Sequence, residues 1–326
     1  KDIFALQDEI TIKIVSSLQI ELTEGEQARM WMKKGAKNLD VKVKTRKLLS
    51  LWREDTIESH LLHGQLSQEV IDMAPGYPVG YLTVGWYHWY LALTLGKSPK
   101  ENLTKAFNLA QKVLSMDESN ADAHALLGSI YMVMRQHEEA IAAGKRSIEL
   151  QPNGAMVHGL LGFTLYFAGQ TDKAIGYLKK GIRLNPFPAS WYFQHLGSCY
   201  FIKRQYEKAL TLYKQALLKS PENFIIHMSL ANTYALLDRQ KEADAAVKKV
   251  LELYPSFSIE RFSATLPYKN QADLKFLVGA MRKAGFPDKQ QTALQDSSQK
   301  EAVSAKTMNN NNVAINLDGE WDTVYD

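Results

Sequence analysis

The sequence predicts an all-α chain built as a solenoid of stacked antiparallel helix pairs, and two observations carry that prediction. Pro152, Pro186, Pro221 and Pro255 recur 34, 35 and 34 residues apart. Ala140, Ala174, Ala209 and Ala243 precede those prolines by twelve residues, and Gly128, Gly162, Gly197 and Ala231 precede the alanines by twelve more. A period near 34 with small residues in two registers marks a repeat of two helices that buries its apolar face only by stacking on its neighbours. Such an array offers a long curved surface, which points to binding and away from catalysis.

The elements follow in chain order. Residues 1–38 begin with an amphipathic helix, its apolar positions Ile3, Phe4, Leu6, Ile10, Ile14, Leu18 and Leu22 recurring at spacings of three and four. A basic connector follows, and the basic stretch runs on to Lys47 through Lys33, Lys34, Lys37, Lys42, Lys44 and Arg46. It lacks a recognisable nucleic-acid fold, so a solvated helix face is expected and no nucleic-acid partner. Residues 39–120 hold two degenerate repeats. The first has helices near 39–52 and 56–73. The second runs from Pro78 to Asn120, with Gly85 and Ala106 at its small positions and an insertion at Leu95-Gly96-Lys97-Ser98-Pro99.

Residues 121–255 hold four well-matched repeats. The small residues let two helix axes approach, because a packed interior has no spare volume. Leu127, Leu161, Leu196 and Leu230 fill the space beside that contact. The turns read Arg135-Gln136-His137-Glu138, Gly169-Gln170-Thr171-Asp172, Arg204-Gln205-Tyr206-Glu207 and Arg239-Gln240-Lys241-Glu242. Each proline stops a second helix, and Asn120, Asn153 and Asn223 stand where the next helix should be capped. Residues 256–287 are expected to form capping helices. Residues 288–326 form an acidic low-complexity tail, with three Lys against seven acids and Asn at 309–312.

With 45% hydrophobic and 23% charged residues, the composition is that of an ordinary soluble domain. The single Cys199 excludes an internal disulfide framework, suits a reducing compartment, and is read as packing; a cytoplasmic location is expected. No apolar run reaches membrane-spanning length and no signal peptide opens the chain. It starts on Lys1 rather than Met, which reads as a piece of something longer.

The repeated residues resemble the tetratricopeptide repeat (TPR), which implies a right-handed superhelix. His124, His158 and His227 replace its usual tryptophan, and Gly181 and Val250 a usual alanine. The phrase Asp2-Ile3-Phe4-Ala5-Leu6-Gln7-Asp8-Glu9-Ile10-Thr11, followed by Leu22-Thr23-Glu24-Gly25-Glu26, resembles the segment before the TPR array of bacterial adenylate/guanylate cyclase-like proteins; it also occurs beside TPRs in some transcription regulators. Phe276 to Pro287 resembles the end of the same cyclase-like proteins. The likeness implies an upstream catalytic or DNA-binding domain, with this chain as the regulatory arm.

In TPR arrays the first helix of each pair lines the concave face. That places Trp86, Trp89, Tyr90, Met132, Phe163, Tyr166, Phe167, Trp191, Gln194, Phe201, Met228 and Asn232 in a groove, with Ser129 and Ser198 between them. Roughly half should be inter-repeat core. The rest form an apolar patch too large to stay uncovered. The occupants left open are a peptide or partner protein with apolar anchors, a second copy, the N-terminal helix, or the tail 313–326 folding back.

Other chemistry fails on context. Gly96-Lys97-Ser98 ends like a phosphate loop, but the motif's first glycine is replaced by Leu91 and no strand precedes it. His124, His158 and His227 hold equivalent positions of stacked repeats, too far apart to share a metal. His60 and His63 are read as surface residues. No nucleophile–base pair is defensible. The expectation is therefore no enzyme, no cofactor and no metal. The chain reads as a protein-protein interaction scaffold or regulatory module of a bacterial signalling protein; the alternative is a sensor module holding a small hydrophobic ligand in the groove.

Overall fold

A computed structural model of the chain describes residues 39–54, 56–185 and 187–289. The amphipathic stretch of 1–38 and the tail of 290–326 lie outside the described residues. Fourteen helices follow one another among the described residues: α1 Leu39–Glu54, α2 Ile57–Met73, α3 Pro78–Leu93, α4 Pro99–Met116, α5 Ala121–Val133, α6 His137–Leu150, α7 Ala155–Phe167, α8 Thr171–Leu184, α9 Ser190–Ile202, α10 Tyr206–Lys219, α11 Phe224–Leu236, α12 Gln240–Leu253, α13 Ile259–Thr265 and α14 Gln271–Ala284. The fold is all-α and matches TPR solenoid architecture, with helices packed chiefly on their pair partners and then on the next pair.

Small residues set the pair contacts. A Cβ at Gly128 would lie 3.0 Å from the Ala140 carbonyl oxygen of its pair partner, and one at Gly85 would meet Leu126 Cδ2 of the next repeat at 2.6 Å. Gly181, which departs from the usual alanine, has its own reason: a Cβ there would come within 2.9 Å of the Ala155 carbonyl oxygen and 2.8 Å of Tyr192. That glycine lets α8 touch the backbone of α7 and a ring of α9 together.

Each turn inside a well-matched repeat places one residue in the left-handed region: Arg135, Gly169, Arg204 and Asp238. The next N–H then reaches back five positions along the chain, as Gln136 N–H to Tyr131 C=O and Gln205 N–H to Tyr200 C=O, which satisfies a terminal carbonyl. The fourth turn thus starts at Asp238, one residue before the Arg239 of the sequence reading. Asn120 and Asn223 cap α5 and α11 through their side chains. Asn153 does not cap α7, because Gly154 takes the N-cap position.

The segment after α12 turns back over the array. Ile259 N–H donates to the Pro287 carbonyl and Glu260 N–H to that of Asp288, clasping both ends of the segment. Between them the chain runs along the four turns. Arg135 donates to the carbonyls of Leu266 and Tyr268. Lys269 N–H donates to Phe167 C=O at 2.9 Å. The Arg204 guanidinium lies over the Phe276 ring, and Lys283 pairs with Asp238 at 2.7 Å. One anchor per turn makes residues 257–289 a strap along one rim of the superhelix. Phe276 is half-buried and also contacts Phe201 at a ring separation of 5.2 Å. Phe276→Ala is expected to cost about 2 kcal/mol, from lost burial and one ring pair. Faster amide exchange in α14 than in α11 would register it; unchanged exchange would mean the strap is held elsewhere.

Candidate functional site

The concave face holds a cavity of about 470 Å³. Helices α3, α7, α9 and α11 form its floor. Leu48, Trp52, His60 and His63 of α1 and α2 stand on one side, and Phe262, Leu266, Tyr268 and Leu277 of the strap on another. Among the residues expected in the groove, Trp86, Trp89, Tyr90, Phe163, Tyr166, Phe167, Trp191, Gln194, Phe201, Met228 and Asn232 all line this cavity. Met132 does not: it is fully buried in the core. The reason is Trp89, whose indole N–H reaches the Ser129 carbonyl at 3.1 Å and whose ring meets Phe163, so it covers α5.

Far more than half of the expected groove residues are buried. Only Trp191 and Gln194 keep intermediate exposure, while Trp86 is 5% and Asn232 1% exposed. Their cover is the chain itself: α1 and α2 on one side and the strap on the other. A run of rings links the two. Trp52, Trp86, Trp89, Phe163, Phe167 and Tyr268 follow at centroid separations of 6.1, 5.5, 6.2, 5.1 and 4.9 Å.

The lining is uncharged inside. Glu58 and Glu222 are exposed at its edge, and no Lys or Arg among the described residues lines it. Burial, with the nearby His60, pushes His63 down to about 3. His195 lies against the Phe163 ring at 4.0 Å and is pushed down to about 3 by burial; its residual accessible surface faces the cavity. Both imidazoles are therefore neutral at pH 7. Burial also raises the Tyr213 and Tyr268 hydroxyls and the Cys199 thiol. Tyr166 and Tyr268 hydrogen-bond each other, and Tyr213 donates to Ser198 Oγ at 3.2 Å.

Asn232 in the cavity lining, like Gln151 away from it, has both amide atoms buried without a hydrogen-bond partner among the described residues. Each unpaired buried group costs about 1–3 kcal/mol.

His60 and His63 correct the sequence reading. Both are 3% exposed and pack against Trp52, with His60 stacked on Tyr90 at 3.8 Å. The buried face of α2 is Ser59, His60, His63, Gly64, Ser67 and Val70, so a single large apolar residue stands on it and no apolar stripe announces it. His124, His158 and His227 each hydrogen-bond a carbonyl of the preceding loop, at 3.1, 2.8 and 2.8 Å. In the Gly96-Lys97-Ser98 loop, Lys97 N–H donates to Leu91 C=O and Asn102 Nδ2 to the Lys97 carbonyl, which uses the loop's own groups. Among the described residues no three His, Cys, Asp or Glu side chains converge to hold a metal. No described helix is long and apolar enough to cross a membrane.

Family models described as TPR repeat and tetratricopeptide repeat match residues 197–238, 100–162 and 226–257, which fall on the helix pairs described above. Over these residues the chain is built of tetratricopeptide repeats. A Rhizobium meliloti protein named "Putative adenylate cyclase 3" is 31% identical to the TPR chain over 150 residues, which is 43% of this chain and 24% of that protein. The chain thus spans about a quarter of that curated relative. Among solved structures, one chain of the APC/C hetero-tetramer Cut9-Hcn1 shares the fold at 20% identity and a TM-score of 0.53, covering 83% of this chain and 51% of that one. MamA matches at 25% identity and a TM-score of 0.40, over 48% of this chain and 91% of that one. The TPR fold supports a protein–protein interaction scaffold.

Proposed function

We propose that this TPR chain is the ligand-responsive regulatory arm of a larger bacterial signalling protein, acting in the cytoplasm, and that its concave cavity binds a small neutral hydrophobic molecule. The observation that carries this is the cavity's construction. Its volume of about 470 Å³ is in the range of small-molecule sites, which are apolar with a few polar groups. Two of its walls, α1–α2 and the strap, come from opposite ends of the described chain, so a bound molecule would tie them together. The partial match to a cyclase-named relative supports the place in a larger signalling protein.

A neutral fluorescent probe, N-phenyl-1-naphthylamine, tests it. The intact chain is expected to bind it, and Trp86→Ala with Phe163→Ala to weaken binding at least about tenfold through two lost aromatic contacts. A folded double variant with unchanged affinity would move the site elsewhere.

One observation favours a second reading, an apolar side chain of a partner peptide in the same cleft. Phe187, 55% exposed, is among the residues that line the cavity. Phe187→Ala would then weaken peptide capture and leave the naphthylamine affinity near its original value.

A further inference from the structure

We propose that the second-helix face formed by α8 and α10 docks the chain's own acidic segment 313–326. This goes beyond the small-ligand reading of the cavity and does not depend on it.

The distribution of charge carries the argument. α8 and α10 hold seven bases against two acids, Asp172 and Glu207. Lys173, Lys179, Arg183, Lys208, Lys214 and Lys219 are exposed, and none of them pairs with a carboxylate among the described residues. Asp172 is taken by Lys203, at the end of α9, at 2.6 Å. The second helices on either side differ. On α6 the acids outnumber Lys145 and Arg146, and on α12 they match the lysines. Arg146 there meets Glu149 at 3.1 Å, and Lys249 meets Glu222 at 2.9 Å.

Aromatic rings are set among the unpaired cations. Lys179 of α8 and Lys208 of α10 both stand over the Tyr200 ring, at 5.9 and 5.5 Å from its centroid, so one ring joins the two helices into one face. Lys219 lies 5.7 Å from the centroid of Phe193. Both rings are only half-buried, and Leu218, beside Lys219 in the chain, is 87% exposed.

Such a face complements a segment with several carboxylates, apolar side chains and no base. Residues 313–326 have that composition: Asp318, Glu320, Asp322 and Asp326 stand among Leu317, Trp321 and Tyr325, without a Lys or Arg. The cavity cannot take these acids, because no base among the described residues lines it and each carboxylate would be buried unpaired. The segment is also tethered close by. α14 packs on α11, and α11 on α10. Residues 290–312 span at most about 80 Å, several times the about 20–24 Å of two helix diameters. A tether of that reach gives the segment a local concentration that a free peptide lacks.

Carbodiimide crosslinking of the full chain tests this, because it joins a Lys amine only to a carboxylate in contact with it. An equal mixture of unlabelled and isotope-labelled protein separates links within a chain from links between copies. Mass spectrometry is expected to find Asp318, Glu320 or Asp322 joined to Lys179, Lys208, Lys214 or Lys219 within one chain. Their yield should fall at least about fivefold between about 20 mM and about 500 mM salt. Links spread over the lysines of other helices, or none to α8 and α10, overturn the proposal. Links of mixed isotope would make the tail of a second copy the occupant and overturn it as well. A fluorescent peptide of sequence 313–326 supplies a second measurement on the full chain. Replacing the chain's own acids (Asp318→Asn, Glu320→Gln, Asp322→Asn and Asp326→Asn) should vacate the face and tighten peptide binding at least about fivefold. Adding Lys179→Gln, Lys208→Gln and Lys214→Gln, all at exposed positions, should remove that gain. Equal peptide affinities in the native and acid-neutralised chains would mean that the tail does not cover the face.

Discussion

Gly162→Leu is expected to destabilise the fold by about 4 kcal/mol. A Cβ at 162 would lie 2.7 Å from Leu178 Cγ, 3.1 Å from Leu178 N and 3.2 Å from the Ala174 carbonyl oxygen. Two of those atoms are backbone of α8, so relief requires the whole helix to move. It cannot move freely, because Gly181 on the same helix sits against the Ala155 carbonyl and Tyr192. Leu178 is itself fully buried, and a leucine at 162 adds four carbons to space that is already filled. Urea unfolding measures the effect directly; an unchanged midpoint would mean that the repeat register is wrong. Gly176 is the control on the neighbouring helix. A Cβ there meets nothing within 4 Å, so Gly176→Ala should stabilise by about 0.5–1 kcal/mol through helix propensity and the unfolded chain's entropy.

Lowering the pH from 7 to 5 is expected to remove up to about 4 kcal/mol of stability. His63 and His195 are held near 3 in the fold against about 6.5 unfolded. Above 6.5 neither state binds the proton, and the neutral rings cost nothing extra. Between 6.5 and 3 the unfolded chain takes up protons that the native chain refuses. Stability then falls by about 1.4 kcal/mol per pH unit for each ring. His88, His137 and His158 are also lowered by burial and add in the same direction. Urea midpoints at the two pH values would show it, and His63→Phe with His195→Phe should flatten the dependence. An equally steep dependence in that double variant would mean that other groups carry it.

Part of the site was legible because repeats impose a register. Once Gly85, Gly162, Gly197 and Ala231 are aligned, Trp86, Phe163, Ser198 and Asn232 must share one side of the array, and the cavity lining follows that alignment. Met132 escaped because its exclusion depends on Trp89, a residue of the preceding repeat, lying across α5. His60 and His63 escaped because a histidine on a helix without an apolar stripe carries no burial signal of its own; Trp52 of the preceding helix packs on both, and Tyr90 of the next repeat stacks on His60.

By itself the sequence determined the helix pairs, their period and the close contacts of the small residues, since these depend on backbone conformation and on neighbours within one repeat. Only the tertiary structure decided that the groove is walled by its own chain. The segment over 256–287 runs along the turns at Arg135, Gly169, Arg204 and Asp238, through anchors separated by 45 to 133 residues. Such pairings follow from the curvature that the stacked repeats accumulate, which brings distant rims within reach of one short strap. No local pattern encodes that curvature, because it is a sum of small rotations between successive repeats.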